Sequence, residues 1–439
     1  MEYDVIVIGG ATSGAYFAAK TAKTGHKVLI IEKLSAEKTG TRMDIFHVSK
    51  TDLATFDMPA AKQGDDAWAF EFNDNHFSSP SNRYRVYSRV ETVGLHMHEY
   101  VSLMLEKAKN AGAEIAYSTE FKEFIITDGV IKGVRCETAD GTKEYYAKTV
   151  VDCSGSAAAG RTALPSWYGI ETFSLAADEM FYVILRYAQF EKPQINTFFL
   201  NTKSWLAPFS PDDKQKILGT GAVNSFENVE KEFVKLDAVA SPDPFTVIKT
   251  EKGTTPYRRP PYSLVADNFI VTGDAACLTK PDCGEGVTSS MVMMDIAAET
   301  LSRALKNGDT SKKALWEINR TYNRVQGADF CLVRAFLTKV IKASDAEIEY
   351  LFSKKIIFNE KFLNGGKISA KDVLDVVAAV TKATVKKNLS AQTVAGVIKG
   401  ASLGLALRAH YMNFPENPDD FNKWVCKADK LWEKVGKVE

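Results

Sequence analysis

The chain has 439 residues, of which 45% are hydrophobic and 25% are charged, an ordinary composition for a globular protein. This length is enough for two domains or for one large domain with additions. The 55 basic and 55 acidic residues cancel, so no net field recruits nucleic acid and that class of function is disfavoured.

The chain begins with a pattern typical of a dinucleotide-binding βαβ unit. An apolar, β-branched run over 3–8 predicts a buried strand, and a helix over 15–24 and a second strand over 27–31 follow. The first strand is joined to the helix by the glycine-rich loop Gly9-Gly10-Ala11-Thr12-Ser13-Gly14. Glu32 follows Gly9 by 23 residues, close to the roughly 20 expected between such a loop and a ribose-binding carboxylate.

The residue types of this loop suit a pyrophosphate. Gly9 permits a tight turn, Ala11 is small enough for the main chain to approach the ligand, and Gly14 lets the helix pack closely on the sheet. The pyrophosphate would then lie at the positive N-terminal end of the helix. Glu32 would accept hydrogen bonds from a ribose diol and repel a 2′-phosphate, which favours FAD or NAD over NADP.

Further along the chain, a helix is predicted over 100–115, with short strands over 116–117, 121–127 and 132–138. An aromatic and β-branched run over 179–187 suggests a strand of an antiparallel sheet that turns one face toward a cavity. From about residue 306 the pattern is helical.

A second glycine motif lies about 260 residues after the first. A short strand beginning near Asp267 stops at the pair Gly273-Asp274 and is followed by the run Pro281-Asp282-Cys283-Gly284-Glu285-Gly286. A long helix is predicted from Val287 to Leu305. Two such linked motifs are not expected by chance, so the pair strengthens the dinucleotide interpretation.

With these motifs the chain resembles the FAD-binding flavoproteins of the geranylgeranyl reductase and aromatic-hydroxylase superfamily. The resemblance implies an α/β fold in which a Rossmann-like FAD-binding domain carries an inserted antiparallel β-sheet substrate domain and a helical C-terminal region. The FAD-binding domain would comprise 1–45, 95–165 and 255–305. The substrate domain would comprise 46–94 and 166–254, and the helical region 306–439.

The resemblance also implies where FAD is held. Asp274 would bind a ribityl hydroxyl, Pro281 would lie against the flavin ring, and free N–H groups over 284–287 would face its N1–C2 edge. The partly matching segment 147–156 would bring Gly155 near the dinucleotide, and Arg42 is either a contact to FAD or a solvated loop arginine. The candidate cofactor residues are Gly9, Gly10, Ala11, Thr12, Ser13, Gly14, Glu32, Lys33, Arg42, Gly155, Gly273, Asp274, Pro281, Gly284, Glu285, Gly286 and Val287.

The substrate-cavity candidates are Trp205 and Cys283. Geranylgeranyl reductases carry Tyr-x-Trp-x-Phe-Pro where this chain keeps only Trp205 and Pro208. Trp205 either lines the cavity or is a core tryptophan, and Cys283 either takes part in chemistry or fills space beside a glycine. His47, His96 and His98 are conceivable proton donors that their spacing does not distinguish from ordinary histidines. The sequence therefore assigns no catalytic residue.

The resemblance favours a reductase that delivers hydride from reduced FAD to a carbon–carbon double bond of an apolar or isoprenoid-like substrate. The Gly284-Glu285-Gly286 form of the motif looks like the reductase branch. A flavin monooxygenase acting on an aromatic or lipid substrate, or an electron-transferring flavoprotein with a protein partner, stays open. Because no second nucleotide motif is visible, electrons would come from transiently bound NAD(P)H or from a redox protein.

Six scattered cysteines without a Cys-x-x-Cys pair suggest reduced thiols and no metal site. We expect no signal peptide before the first strand and find no apolar run of membrane-spanning length, so a cytoplasmic protein is predicted. Gly396, Gly400 and Gly404 recur at four-residue spacing. This stripe is either a surface that contacts lipid or another subunit, or one side of a closely packed helix. The first alternative leaves peripheral membrane association open. The charged residues Lys399 and Arg408 interrupt the segment and favour the second alternative.

Overall fold

The structure is a computed structural model that describes residues 2–199, 204–240, 243–340, 343–363, 369–385 and 388–436. The strands, in chain order, are β1 Glu2–Ile8, β2 Val28–Ile31, β3 Ile45–Ser49, β4 Trp68–Phe72, β5 Asn75–Ser78, β6 Arg85–Ser88, β7 Thr92–His96, β8 Glu114–Ala116, β9 Glu120–Thr127, β10 Val130–Thr138, β11 Gly141–Asp152, β12 Met180–Phe190, β13 Thr197–Phe199, β14 Ser204–Pro208, β15 Gln215–Val223, β16 Phe245–Pro256, β17 Val265–Ala266 and β18 Phe269–Val271.

The helices alternate with strands early in the chain and follow one another after the last strand. They are α1 Thr12–Ala22, α2 Lys50–Thr55, α3 Met97–Asn110, α4 Ala159–Ala163, α5 Phe226–Ala240, α6 Val287–Lys306, α7 Lys312–Tyr322, α8 Ala328–Val340, α9 Asp345–Ser353, α10 Glu360–Leu363, α11 Ala370–Val385, α12 Ala391–Met412 and α13 Phe421–Val435.

The largest sheet has the strand order β17-β18-β11-β1-β2-β8, and the hairpin β9–β10 pairs with β11. β1 lies parallel to both β2 and β11, and β11 lies parallel to β18. The parallel strands are apolar because helices cover both faces of such a sheet. The carboxyl ends of β1 and β18 therefore meet at one edge, where the glycine motifs follow them.

The early elements match the sequence-based expectations, with one error. The helix predicted over 100–115 ends at Asn110, because Gly112 adopts a positive φ of 103° and reverses the chain. Glu114 already belongs to β8, which pairs in parallel with β2. Local helical periodicity was here overridden by strand pairing.

The inserted sheet has seven strands in the order β16-β12-β15-β14-β13-β5-β6. All neighbours are antiparallel except β13 and β5, which pair in parallel and join strands from the two insertions. The predicted antiparallel sheet is thus confirmed with one parallel pair. The domain boundaries themselves remain a proposal.

A smaller sheet, β3-β7-β4, packs against the inserted sheet through an apolar cluster. The buried members of this cluster are Ile45, Phe70, Leu185, Tyr187 and Ile217. Within the smaller sheet, Gly94 on β7 leaves room for the ring of its partner Phe70 on β4, since a Cβ atom built on Gly94 would lie 2.4 Å from that ring.

The glycine stripe of α12 packs against α8. Cβ atoms built on Gly396, Gly400 and Gly404 would lie 2.7, 3.0 and 2.9 Å from backbone carbonyl oxygens of α8. The stripe is therefore a close-packed helix contact, as the charges suggested. Among the described residues no helix combines the length and apolarity that crossing a membrane requires.

We expect Gly404→Val to destabilise the protein by about 1–3 kcal/mol, because the added methyl groups meet the Leu332 carbonyl oxygen 2.9 Å from the Cβ position. The matched control is Ala406→Val on the exposed side of the same helix, which should cost about 0.5 kcal/mol through helix propensity alone. Urea denaturation followed by circular dichroism measures both. Equal losses of stability in the two variants would show that the stripe does not set the packing.

Candidate functional site

The first glycine loop is built from very close backbone contacts. A Cβ atom on Gly14 would lie 1.8 Å from the Gly9 carbonyl oxygen, so only glycine fits there. Gly9 has φ +101°, and a Cβ atom on it would lie 2.6 Å from the Cys153 carbonyl oxygen at the end of β11. Helix α1 begins at Thr12, with Ala11 as its N-cap. The helix start is thus fixed at the carboxyl end of the sheet, where its N–H groups suit an anion.

Glu32 lies against this loop. It is 7% exposed, one carboxylate oxygen accepts a hydrogen bond from the Gly10 N–H at 2.7 Å, and the other accepts one from the Leu34 N–H at 2.9 Å. The expected pairing of glycine loop and acidic residue is therefore present in space. Lys33, the next residue, is exposed.

The second glycine motif meets the first. Gly273 follows β18 with φ +63°, and a Cβ atom on it would lie 2.8 Å from the Ser13 hydroxyl oxygen. A Cβ atom on Gly286 would lie 2.8 Å from a carboxylate oxygen of Asp274. Two segments about 260 residues apart in the sequence thus form one continuous wall.

The Asp274 carboxylate lies beside Gly286 in the second motif. Protein atoms crowd it and desolvation raises its pKa, with Arg42 opposing the shift, yet part of the residue remains accessible. Its one protein donor, among the residues that the structure describes, is the Thr279 hydroxyl at 3.4 Å. A crowded acceptor with one long hydrogen bond is well suited to receive a ligand hydroxyl.

The third segment is tied to the second by Arg161. Gly155, with φ +71°, begins a short turn held by the buried Asp152, whose oxygens accept from the Ser154 hydroxyl and the Arg161 N–H at 2.6 Å each. The buried Arg161 guanidinium donates to the Ala275 carbonyl at 2.8 Å. This role of Arg161 was not predicted from the sequence.

The loop over 281–286, before α6, uses one of the N–H groups that were expected to be free. Pro281 is buried, but the Gly284 N–H is not free, because it donates to the Lys280 carbonyl at 3.0 Å. Glu285 accepts hydrogen bonds from the N–H groups of Thr288 at 2.6 Å and Ser289 at 3.2 Å. The expectation of free N–H groups over 284–287 is therefore wrong for Gly284.

The inserted sheet covers this loop at the end of β16. The hydroxyls of Thr255 and Thr279 lie 3.4 Å apart, and a Cβ atom on Gly284 would lie 3.7 Å from the Thr255 methyl carbon. Arg42 donates to the Thr254 carbonyl at 2.6 Å and is exposed. The region bounded by the glycine loops on one side and the end of the inserted sheet on the other is called the cleft below, and its position suits an extended dinucleotide beneath a substrate.

Comparison with known proteins agrees with this geometry. A family model described as FAD dependent oxidoreductase matches residues 4–172. The digeranylgeranylglycerophospholipid reductase of Sulfolobus acidocaldarius is 25% identical over all of this chain and 99% of its own length. A second protein of that name, from Methanopyrus kandleri, is 25% identical over 72% of this chain and 81% of its own.

The chain is an FAD-dependent oxidoreductase, and it is similar to geranylgeranyl reductase-like flavoproteins. The fold agrees, since a geranylgeranyl bacteriochlorophyll reductase-like structure from Thermoplasma acidophilum superposes with a TM-score of 0.75 at 19% identity. That match covers 88% of this chain and 98% of the other. A flavin-dependent brominase shares the fold at a TM-score of 0.67 and 17% identity over 88% of this chain and 100% of its own.

The three candidate histidines of this flavoprotein are engaged in structural hydrogen bonds. His47 donates from Nε2 to the Pro208 carbonyl at 2.9 Å, and burial lowers its pKa to about 4, so it is neutral at pH 7. His96 pairs with Asp44 at 2.9 Å, and His98 contacts the Thr39 carbonyl at 2.7 Å. None is presented as a proton donor by this geometry.

The two substrate-cavity candidates lie in different surroundings. Trp205 is half-buried at the edge of the cluster between the sheets and covers Gly219, whose Cβ position lies 2.1 Å from the indole ring. Cys283 is exposed in the loop before α6, beside Gly284. Desolvation raises the pKa of this thiol, so Cys283 is a neutral thiol rather than a thiolate near pH 7.

We expect Asp274→Asn to weaken FAD binding by about 2 kcal/mol, roughly 30-fold, because a charged hydrogen-bond acceptor in the cleft is lost. Titration of the apoprotein with FAD, followed by flavin fluorescence, measures the change. The control Asp140→Asn removes an exposed carboxylate that pairs with Lys143. If both variants bind FAD like the parent chain, Asp274 does not contact the cofactor.

Proposed function

We propose that this flavoprotein saturates carbon–carbon double bonds of an apolar, isoprenoid-type lipid. The observation that supports this most strongly is the end-to-end match to the digeranylgeranylglycerophospholipid reductase of Sulfolobus acidocaldarius, which includes the glycine loops and the inserted sheet. The sequence Gly284-Glu285-Gly286 also resembles the form of this motif in the reductase branch of the superfamily. When bound and reduced, FAD supplies the hydride.

In this proposal the glycine loops hold opposite ends of FAD. The loop from Gly9 to Gly14 binds the pyrophosphate, Glu32 the adenosine ribose, and Asp274 a ribityl hydroxyl, while Pro281 supports the ring. Within the described residues the N–H groups of Gly286 and Val287 have no protein acceptor. They are the groups left to bind the N1–C2 edge.

The remaining candidate cofactor residues have weaker support. Lys33 is exposed beside Glu32, and Arg42 already donates to Thr254, so each would act at the rim of the cleft. Gly155 would close the cleft near the dinucleotide through its turn beside Ala275. We retain them as proposed contacts.

The apolar substrate would lie between the flavin loops and the inserted sheet. The half-buried Trp205 is the candidate for the wall of this site, because it lies at the edge of the apolar cluster that the inserted sheet buries against the smaller sheet. Because the related reductases are named for a phospholipid substrate, we propose a cytoplasmic protein that meets lipid at a membrane surface. Leu374 and Ile398, 57% and 43% exposed on α11 and α12, are candidates for that contact. The electron donor would be NAD(P)H or a redox protein.

The reaction is tested without oxygen. We expect the dithionite-reduced, FAD-loaded protein to convert a digeranylgeranyl lipid into products heavier by two hydrogen atoms for each saturated double bond, as measured by mass spectrometry. Omission of the lipid or of FAD is the control. Products that gain oxygen when air is admitted, with no hydrogen gain under anaerobic conditions, would favour a monooxygenase. Reduction of a partner protein alone would favour electron transfer.

The position of the substrate is tested with a pair of tryptophans. We expect Trp205→Ala to lower kcat/KM for the lipid about tenfold or more, because part of the apolar wall is removed, while bound FAD is retained. Trp167→Ala is the matched control, since Trp167 is 62% exposed. Wild-type kcat/KM in the Trp205 variant would assign that residue to packing alone.

A further inference from the structure

The start of α6 carries a carboxylate of its own. Glu285 lies just before the helix, and its two oxygens accept hydrogen bonds from the Thr288 N–H at 2.6 Å, the Thr288 hydroxyl at 3.0 Å and the Ser289 N–H at 3.2 Å. α6 has 20 residues and no other acidic residue in its first turn. The charge of Glu285 is therefore bonded directly to the positive end of a long helix dipole.

A lysine and a second carboxylate complete this group. The Lys280 ammonium lies 3.2 Å from Glu285, and the Lys280 N–H donates to the Glu285 carbonyl at 2.8 Å. Burial disfavours the charged form of Lys280, but Glu285 outweighs it and the Lys280 pKa is raised. Desolvation raises the pKa of Asp52 on α2, where Lys280 and Glu285 exert opposing effects. The helix start thus holds opposed, partly compensating charges.

These charges bear on the cofactor because α6 begins at the loop that we assign to the flavin edge. Two-electron reduction adds negative charge to the flavin ring, and a positive helix end next to that edge stabilises the reduced form. A carboxylate bonded to the same helix end offsets this stabilisation. The reduced cofactor then becomes the stronger hydride donor, which an alkene without an activating group requires.

We propose that Glu285 lowers the reduction potential of the bound FAD and that Lys280 moderates this effect. This inference depends on the FAD position in the proposed function. It makes Glu285 a positioning and tuning residue, since it acts through α6 on the ring and needs no contact with substrate.

The test is the midpoint potential of the FAD-loaded full chain, measured anaerobically against a reference dye. In each titration two electrons and a proton pass from the reductant to the flavin. We expect Glu285→Gln, which keeps an oxygen acceptor but removes the charge, to favour the reduced form about tenfold, a rise of about 30 mV for a two-electron couple. Lys280→Met should shift the potential in the opposite direction.

Glu299→Gln provides the matched control, because it makes the same chemical change on α6 at an exposed position paired with Arg303, about 20 Å along the helix. Its potential should equal that of the parent chain. A Glu285 variant whose potential equals that of the Glu299 control, or falls below it, overturns the proposal. The opposite shift of Lys280→Met keeps the test decisive if Glu285→Gln folds poorly.

Failure of the tuning role of Glu285 can be distinguished from failure of the proposed reaction. If the variants bind FAD and reduce the lipid but their potentials do not move, only the tuning role fails. If the parent chain binds FAD but saturates no lipid, the proposed reaction fails while the potential shifts still decide the role of Glu285.

Discussion

The contact between two glycine turns governs the whole cleft. The contact favours glycine at position 273, because a Cβ atom there would lie 2.8 Å from the Ser13 hydroxyl oxygen and the backbone has φ +63°. Gly14 makes the same demand on Gly9 within the first loop. Because both loops follow the carboxyl ends of parallel strands, β1 and β18, with only β11 between them, the sheet brings together segments that the sequence separates by about 260 residues. One bound dinucleotide can then span both.

The rest of the molecule supports and covers this junction. Arg161 ties the turn after β11 to the Gly-Asp loop, and the end of β16 lies over the loop before α6. The inserted sheet in turn buries an apolar face against the smaller sheet, with Trp205 at the edge of that contact. Glu285 accepts hydrogen bonds from N–H groups at the start of α6, the helix that begins at the second glycine motif. In the proposed function this helix start lies next to the flavin ring.

Sequence patterns predicted the features of the fold that depend on residues close together in the chain. The first βαβ unit, the placement of Glu32 beside Gly10 and the start of α6 at Val287 follow from periodicity and glycine spacing. The parallel pairing of β13 with β5 depends on contacts between distant segments, so no local pattern could predict it. The capping by Glu285 depends on a side-chain conformation. Its one sequence signal is an acidic residue just before the start of a helix.

The central claim is that both glycine turns hold one FAD molecule. Hydrogen–deuterium exchange of the apoprotein, followed as FAD is added, tests it most directly. We predict that amides over 9–15 and over 273–288 become protected together, with the same dependence on FAD concentration. Protection confined to the first segment, with the second exchanging as in the apoprotein at saturating FAD, would contradict it.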